Sequence, residues 1–420
     1  MNFEPHPLRG TVLSEVHARP FAPIETPSRV LHFAFLTDAA LAEDDRLALL
    51  EFLGARGHRG PEKPARHHRV VFADTALRWE QHAEFTTYTW EFRCRGPDVF
   101  AHPAMDLAKS MTLLPQPGPH MVSVDLHLVA EHEAKDWRTG FDAASLAAFQ
   151  TETGDAIAAT DFHVGSDGFV RMLVVDRGMP PLRAGTLVQQ LLELETYRSL
   201  CLLGLPAAQR LQPVVRTIEN SLAAITAEMT TSEGLLANRA LLDRLMAVAG
   251  ELEAGASQTQ FRFGATRAYF EIVASRLAAL QERPVEELQT MAAFMNRRLV
   301  PAVRTCSAIE QREEVLSDKL ARAANLLRTR VDIELEQQNS ELLKAMSERT
   351  RLQLRLQQTV EGLSVAAISY YVVSLLDYMM DPLPLDALGL PPKLVKALLV
   401  VVTVVIIAWI VLALRRRHKE

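Results

Sequence analysis

The sequence has few cysteines and no strong excess of charge of one sign, and each of these features excludes a class of protein. Its three cysteines, Cys94, Cys201 and Cys306, lie far apart and form no C-x-x-C pair. That spacing argues against a zinc ribbon or a disulfide framework and is typical of a reducing compartment. The formal net charge is −6, which gives no electrostatic reason to expect a nucleic acid as partner.

The usual catalytic and export signatures are also missing. No G-x-x-x-x-G-K-S/T, G-x-G-x-x-G, H-E-x-x-H or G-x-S-x-G occurs, so nucleotide hydrolysis, dinucleotide redox chemistry and the common hydrolase elbows lack their signals. The N-terminal stretch MNFEPHPLRG contains no apolar run that would act as a signal peptide. These absences favour a role without catalysis and predict no cofactor other than a divalent cation. We expect the large N-terminal part to stay in the cytoplasm.

Two long apolar segments near the C-terminus are the strongest positive signal. Residues 363–380 read LSVAAISYYVVSLLDYMM, and residues 397–414 read ALLVVVTVVIIAWIVLAL. A bilayer core about 30 Å thick needs roughly 20 mostly apolar helical residues. The second segment meets this demand cleanly and the first less so, while prolines keep the connector from being helical. We predict a hairpin of two membrane helices; the alternative is one true span, with the first segment lying in the interface or in a protein core.

Polar side chains interrupt the first apolar segment at Ser369, Tyr370, Ser374 and Asp377. Polar groups inside a bilayer are costly and need either burial or water. These residues therefore line a channel or form a helix–helix interface, and both interpretations remain open. Asp381, directly after the segment, is a candidate for attracting a divalent cation at a pore mouth.

Basic residues flank the apolar segments on one side of the predicted membrane. Arginines precede the first segment and follow the second, whereas the only basic residues of the connector are two lysines. These residues are Arg349, Arg351, Arg355, Arg415, Arg416, Arg417, Lys393 and Lys396. The positive-inside bias predicts that both flanks are cytoplasmic. We expect the basic tail, residues 415–420, to contact anionic lipid.

Residues 1–180 alternate short strands, turns and helices. Period-two patterns predict strands over residues 30–36, 76–82, 84–92, 122–128, 156–164 and 169–175. Helical patterns cover residues 44–55, 97–111 and 142–151. This mixture predicts a cytoplasmic α+β domain with a mixed or antiparallel sheet. All histidines except His418 lie between His6 and His163, which indicates a domain boundary after the latter.

The most pointed local string is EVHARP, which begins at Glu15. If it is extended, Glu15, His17 and Arg19 share a face. Such a face binds an anion, holds a metal through Glu15 and His17, or performs acid–base chemistry; the simpler interpretation is a solvated edge with an internal ion pair. Further candidate ligands are His67, His68, His82, His127 and His132.

Strong helix formers dominate residues 181–362. We predict a first helix from Pro181 and, after a break at Gly204 and Pro206, a second helix that ends at about Thr230. Further helices are predicted over residues 233–252 and 255–280 and from Pro284. After Pro301 there is no glycine or proline until Gly362, and an apolar stripe predicts one long helix with a coiled-coil-like period. Its stripe residues are Ile309, Leu316, Leu320, Leu327, Val331, Leu335, Leu342, Met346, Leu356 and Val360. Such a helix needs partners, either in an intramolecular bundle or in an oligomeric stalk.

Several strings spread over the chain resemble an uncharacterised bacterial family, domain of unknown function 3422. They are EVHARPF from Glu15, FRFGATRAYF from Phe261, LLRTRVDIELEQQNSELL from Leu326 and LQLRLQQTVEGLSVAAISYY from Leu352. The resemblance implies membrane association, here of the bacterial inner membrane, and implies no activity.

The layout is similar to that of CorA-type divalent-cation transporters, which place a cytoplasmic α+β domain before a long helix and two closing spans. That family ends its first span with Gly-Met-Asn, whereas this chain has Tyr378-Met379-Met380-Asp381, so the glycine and the asparagine are absent. Three functions follow as hypotheses. They are a membrane-anchored, homo-oligomeric sensor or scaffold; a CorA-like cation channel; and a membrane-bound enzyme with a site near Glu15, His17 and Arg19.

Overall fold

The computed structural model describes residues 4, 6, 7, 9, 21–63, 65–93, 99, 100, 104–380 and 391–417. The strands are β1 (Ser28–Leu36), β2 (His67–Phe72), β3 (Thr75–Gln81), β4 (Phe85–Arg93), β5 (His120–Ala130), β6 (Ala147–Gln150), β7 (Ala156–Val164), β8 (Val170–Asp176) and β9 (Arg283–Pro284). The α-helices are α1 (Ala39–Gly54), α2 (Ala104–Leu107), α3 (Pro181–Leu202), α4 (Gly204–Thr231), α5 (Leu235–Leu280), α6 (Met291–Met380) and α7 (Pro392–Arg417).

The strands form one mixed sheet in the order β2-β3-β4-β1-β5-β8-β7-β6-β9. β5 and β8 are parallel, and every other neighbouring pair is antiparallel. This confirms the predicted mixed sheet. The strands predicted over residues 30–36, 122–128, 156–164 and 169–175 are present as β1, β5, β7 and β8, and the hairpin of residues 76–92 is present as β3 and β4.

Helices cover both faces of the sheet because β1 and its neighbours carry apolar side chains on both. On one face, Val30, Leu126 and Met172 belong to a core that includes Leu191 of α3 and Met295 of α6. A strand buried on both sides needs apolar residues at consecutive positions, as in the run VLHFAFL of β1. α3, which follows β8 in the chain, packs on this face.

The opposite face holds a row of aromatic side chains. Leu31 pairs with Trp90 and Phe33 with Tyr88, and α1 packs on this row through residues that include Leu49. A fully buried leucine contributes about 1.5–3 kcal/mol. α1 begins earlier than residue 44, because the Asp38 carboxylate accepts hydrogen bonds from the Ala40 and Leu41 amides at 2.9 Å.

A buried carboxylate fixes α1 to the aromatic row. Asp45 accepts hydrogen bonds from Trp79 Nε1 and Tyr88 Oη, both at 2.7 Å. Burial raises the pKa of Asp45 to about 6, although the Tyr88 and Trp79 hydrogen bonds act in the opposite direction. The folded protein therefore binds the Asp45 proton more tightly than the unfolded chain does.

We expect the stability of the protein to fall as the pH rises from about 4 to about 6, and Asp45→Asn to remove this part of the dependence. A carboxyl whose folded-state pKa is raised contributes its full stability below the unfolded pKa and loses it as the pH rises through the folded pKa. Thermal unfolding in nonionic detergent, followed by tryptophan fluorescence, measures the effect. The matched control is Asp44→Asn, since Asp44 is the exposed neighbour; equal pH profiles for the two variants would contradict the assignment.

Three helical predictions are corrected. Residues 147–150 form a strand rather than half of a helix, because Phe149 is fully buried where β6 pairs with β7 and β9. α5 is one helix rather than two, and Gly255 lies inside it, where an added Cβ would meet Leu211 Cδ1 of α4 at 3.0 Å. Glycine here permits close helix packing rather than ending the helix. Pro284 lies in β9, and the next helix begins only at Met291.

One further helix differs from its sequence pattern, and the start of another agrees with it. Of the helix predicted over residues 97–111, the described part contains α2 and a 3₁₀ helix, Ala108–Leu113. The predicted start of α3 at Pro181 is confirmed, with the proline in the first turn.

The chain divides into two compact units. The first comprises Met1–Thr230 and Asp243–Ala324, and the second comprises Thr231–Leu242 and Asn325–Glu420. In the second unit, Asn238 donates a hydrogen bond to Glu334 Oε1 at 2.8 Å and accepts one from Ser232 Oγ at 3.0 Å. α6 remains helical across Gly362, which confirms that the long helix enters the first apolar segment without a break.

Candidate functional site

Glu15, His17 and Arg19 lie outside the described residues, and so does Asp381. Within the described ranges, no group of three or more His, Cys, Asp and Glu side chains is arranged to hold a metal ion. Of the further candidate ligands, His68 hydrogen-bonds to the Arg59 carbonyl oxygen at 2.8 Å, and His127 lies beside Asp125.

The four polar residues predicted in the first apolar segment have different surroundings at the end of α6. Ser369 is buried, whereas Tyr370, Ser374 and Asp377 are exposed. The Ser369 hydroxyl has no hydrogen-bond partner among the described residues. A buried hydroxyl without a partner is unfavourable. Of these four residues, Ser369 is therefore the one that a further hydrogen bond would stabilise.

An ion pair connects the ends of α6 and α7. Asp377 Oδ1 lies 2.7 Å from Lys396 Nζ. Ser369 on α6 and Thr403 on α7 each lie about two helical turns from this pair. Both are buried, and the residues on either side of each in the chain are exposed. Small polar side chains are common where membrane helices pack closely.

Most of the other described side chains of both apolar segments are exposed. Tyr378 is 84% exposed, Leu398 67% and Trp409 69%. The helices contain apolar windows with mean hydropathy of 1.5 in α6 and 2.9 in α7, and both are long and apolar enough to cross a membrane by length and composition. A core helix of a soluble protein would bury these side chains. Their exposure therefore favours membrane association over a soluble core.

The central sheet contains a buried ion pair that no sequence motif predicted. The Arg29 guanidinium donates two hydrogen bonds of 2.8 Å to the Asp125 carboxylate, and His127 Nε2 lies 3.4 Å from Asp125 Oδ1. The Phe100 ring contacts the His127 ring with centroids 4.5 Å apart. Burial raises the pKa of Asp125, but His127 and Arg29 outweigh it, so the pKa lies below its ordinary value. The carboxylate is therefore charged and paired.

A buried histidine joins the sheet to α3 on the other face. His32 Nε2 lies 3.0 Å from Thr196 Oγ, and His32 Nδ1 lies 2.8 Å from Thr89 Oγ. Thr196 uses its own proton for the Leu192 carbonyl oxygen at 2.8 Å, so His32 carries its proton on Nε2 and accepts at Nδ1. Burial, assisted by the Arg78 charge, lowers the pKa of His32 to about 3. This ring stays neutral at physiological pH and has a structural role rather than that of a pH sensor.

Comparison with known proteins places the chain in a family but assigns no chemistry to it. A search of curated proteins finds no match. A family model described as "Protein of unknown function (DUF3422)" matches residues 4–418, which is nearly the whole chain. Because the match spans both compact units and both apolar helices, the chain belongs to the DUF3422 family.

Proposed function

We propose that the protein is a membrane-anchored homo-oligomer whose sheet-containing unit senses a ligand or scaffolds partners at the cytoplasmic face of the bacterial inner membrane. α6 and α7 form the hairpin anchor, and the basic tail contacts anionic lipid. Two observations support the anchor. They are the exposed apolar surface of both helices and the Asp377–Lys396 ion pair, which fits the proposed hairpin.

The observation that carries the oligomer is an unpaired apolar stripe on α6. Every residue from Leu335 to Val360 is exposed, including the apolar ones. The same helix continues directly into the first apolar segment. Isolated helices are marginal in water. Leu335, Leu342 and Leu356 of the stripe, together with Leu352, are separated by seven, ten and four residues. Each of these separations is a sum of the three- and four-residue steps of a coiled-coil seam. Burial against copies of the same helix would remove these side chains from water.

Polar residues at seam positions fit the same geometry. Gln338 and Arg349 interrupt the seam between apolar positions. Such residues lower the stability of a coiled coil but specify its register and its number of strands. The seam is therefore expected to set one defined oligomeric state rather than an open aggregate.

We expect Leu342→Glu/Leu352→Glu/Leu356→Glu to convert the oligomer into monomer, because it places like charges in the seam. Light scattering that separates the protein mass from the detergent mass measures the state of the intact chain. The control is Ser340→Glu/Ser347→Glu/Gln358→Glu, which adds the same charge at exposed positions outside the seam. A wild-type monomer at every concentration in gentle detergent would refute the proposed oligomer.

A CorA-like divalent-cation channel is the second candidate. It is favoured by the polar residues of the first apolar segment, since Ser374 is exposed and the Ser369 hydroxyl lacks a partner in the described part of the chain. In a ring of subunits these groups would face a water-filled axis. Reconstituted protein that passes no Mg²⁺, Co²⁺ or Ni²⁺ under a gradient would remove this candidate and leave the anchor.

A further inference from the structure

The helical part of the first unit contains an acidic groove between α5 and α6. Its cavity volume is about 570 Å³, which lies within the usual range for small-molecule sites. Carboxylates dominate its polar lining: Glu253 from α5, and Glu310, Glu313, Glu314 and Asp318 from α6. Leu252, Ala256 and Phe263 supply apolar walls.

One carboxylate of this groove is buried without a partner. Glu313 is only 6% exposed, and its Oε1 has no hydrogen-bond partner among the described residues. An added Cβ at Gly255 would lie 3.9 Å from this oxygen, so the glycine leaves room beside it. Burial, with a smaller contribution from Glu310, raises the pKa of Glu313 to about 7. A buried carboxylate without a partner is unfavourable in its charged form, so a cation beside Glu313 would stabilise it.

The groove already holds one cation of its own. Arg267 is ion-paired with Glu310 and is part of the lining. Glu253, Glu313, Glu314 and Asp318 have no ion pair among the described residues. The local field is therefore strongly negative after Arg267 is counted, and it favours a ligand with more than one positive charge.

The placement of the carboxylates selects the class of cation. A bound metal ion needs several ligands that converge on one point, and no such group of His, Cys, Asp and Glu exists in the described residues. Instead, the carboxylates of α6 follow one face of the helix over about two turns, which is roughly 12 Å. A ligand that matches them carries its charges along a line and has apolar segments between them.

We propose that this groove binds a linear aliphatic polyamine. Its ammonium groups would pair with Glu313, Glu314 and Asp318, and its methylene segments would contact Leu252 and Ala256. Ammonium groups separated by three or four methylenes lie about one helical pitch, ~5.4 Å, apart. Deprotonated Glu313 would then gain the partner that it lacks. This site does not depend on the oligomer proposed above.

Isothermal titration of the intact protein with spermidine, in nonionic detergent at physiological salt, tests the site. We expect saturable binding, weakened about tenfold by Glu313→Gln and about two- to fivefold by Glu314→Gln, since the second carboxylate is exposed. Glu313→Gln conserves shape and removes a buried charge, and Glu314 is on the surface, so both variants are expected to fold. The matched control is Glu271→Gln, an exposed carboxylate of α5 outside the groove, which should leave the affinity unchanged.

Three outcomes would overturn the proposal. They are the absence of saturable binding, an equal loss in Glu271→Gln, and tighter binding of Mg²⁺ than of spermidine under the same conditions. The first removes the site, the second reduces it to general attraction by an acidic surface, and the third assigns it to a metal. Light scattering on the same samples reports the oligomer separately, so failure of one proposal is distinguishable from failure of the other.

Discussion

Asp125→Ala is expected to destabilise the sheet-containing unit by about 3–5 kcal/mol, enough to unfold a marginally stable domain. The substitution leaves the Arg29 guanidinium buried and unpaired at the centre of the sheet, where its two 2.8 Å hydrogen bonds are lost. Removing one partner of a buried ion pair is this costly because the remaining charge keeps its desolvation penalty. Thermal unfolding of the intact protein in nonionic detergent, or the yield of folded protein, measures the loss.

The double variant Arg29→Met/Asp125→Leu separates the cost of an orphaned charge from the net contribution of the pair. Apolar side chains of similar volume remove both charges together, and replacing a buried pair in this way is often nearly neutral. We therefore expect the double variant to be clearly more stable than Asp125→Ala. If the two were equally unstable, the pair itself would be essential, and the His127 contact with Asp125 at 3.4 Å would become the first explanation.

The sheet could be predicted from the sequence where one strand carries its own pattern. Leu31, Phe33 and Phe35 alternate within β1, and Trp90 and Tyr88 alternate within β4, so their common buried face follows from local order. β6 lacks such a pattern, because the run AAFQ is short and fully apolar at its buried positions. Its pairing with β7 decides its structure, and a local pattern does not encode that pairing.

The candidate sites, like the strands, were predictable only where a local sequence pattern marks them. The apolar stripe is periodic and the two apolar segments are nearly continuous apolar runs, so the residues of all three were predictable. Arg29 and Asp125 are far apart in sequence and meet only through the β1–β5 register. Gly255, beside the acidic groove, is a residue type that often ends helices, but here it permits close packing between α5 and α4. Residue type alone does not distinguish these two roles of glycine.

Val404→Asp/Val405→Asp is expected to release most of the protein from the membrane. Both valines are exposed on α7, and each aspartate at the centre of a membrane helix costs about 2.5–3.5 kcal/mol, or about 5–7 kcal/mol together. The apolar window of α6 has a mean hydropathy of only 1.5, against 2.9 in α7, so the first segment is not expected to hold the chain alone. Resistance to alkaline carbonate extraction measures the anchor.

Two comparisons decide between a hairpin and a single span. The variant Gln357→Asp/Gln358→Asp adds the same charge to an exposed part of α6 before the apolar segment and should stay in the membrane. Val372→Asp/Leu375→Asp disrupts the first segment alone; α7 should then still hold the protein, but the tail should move to the outer face, because one crossing replaces two. Trypsin added outside spheroplasts would cleave at Arg415–Arg417 in this variant and spare the wild type. Cleavage of the wild-type tail from outside would show that α7 crosses alone, because a hairpin returns both flanks to the same side.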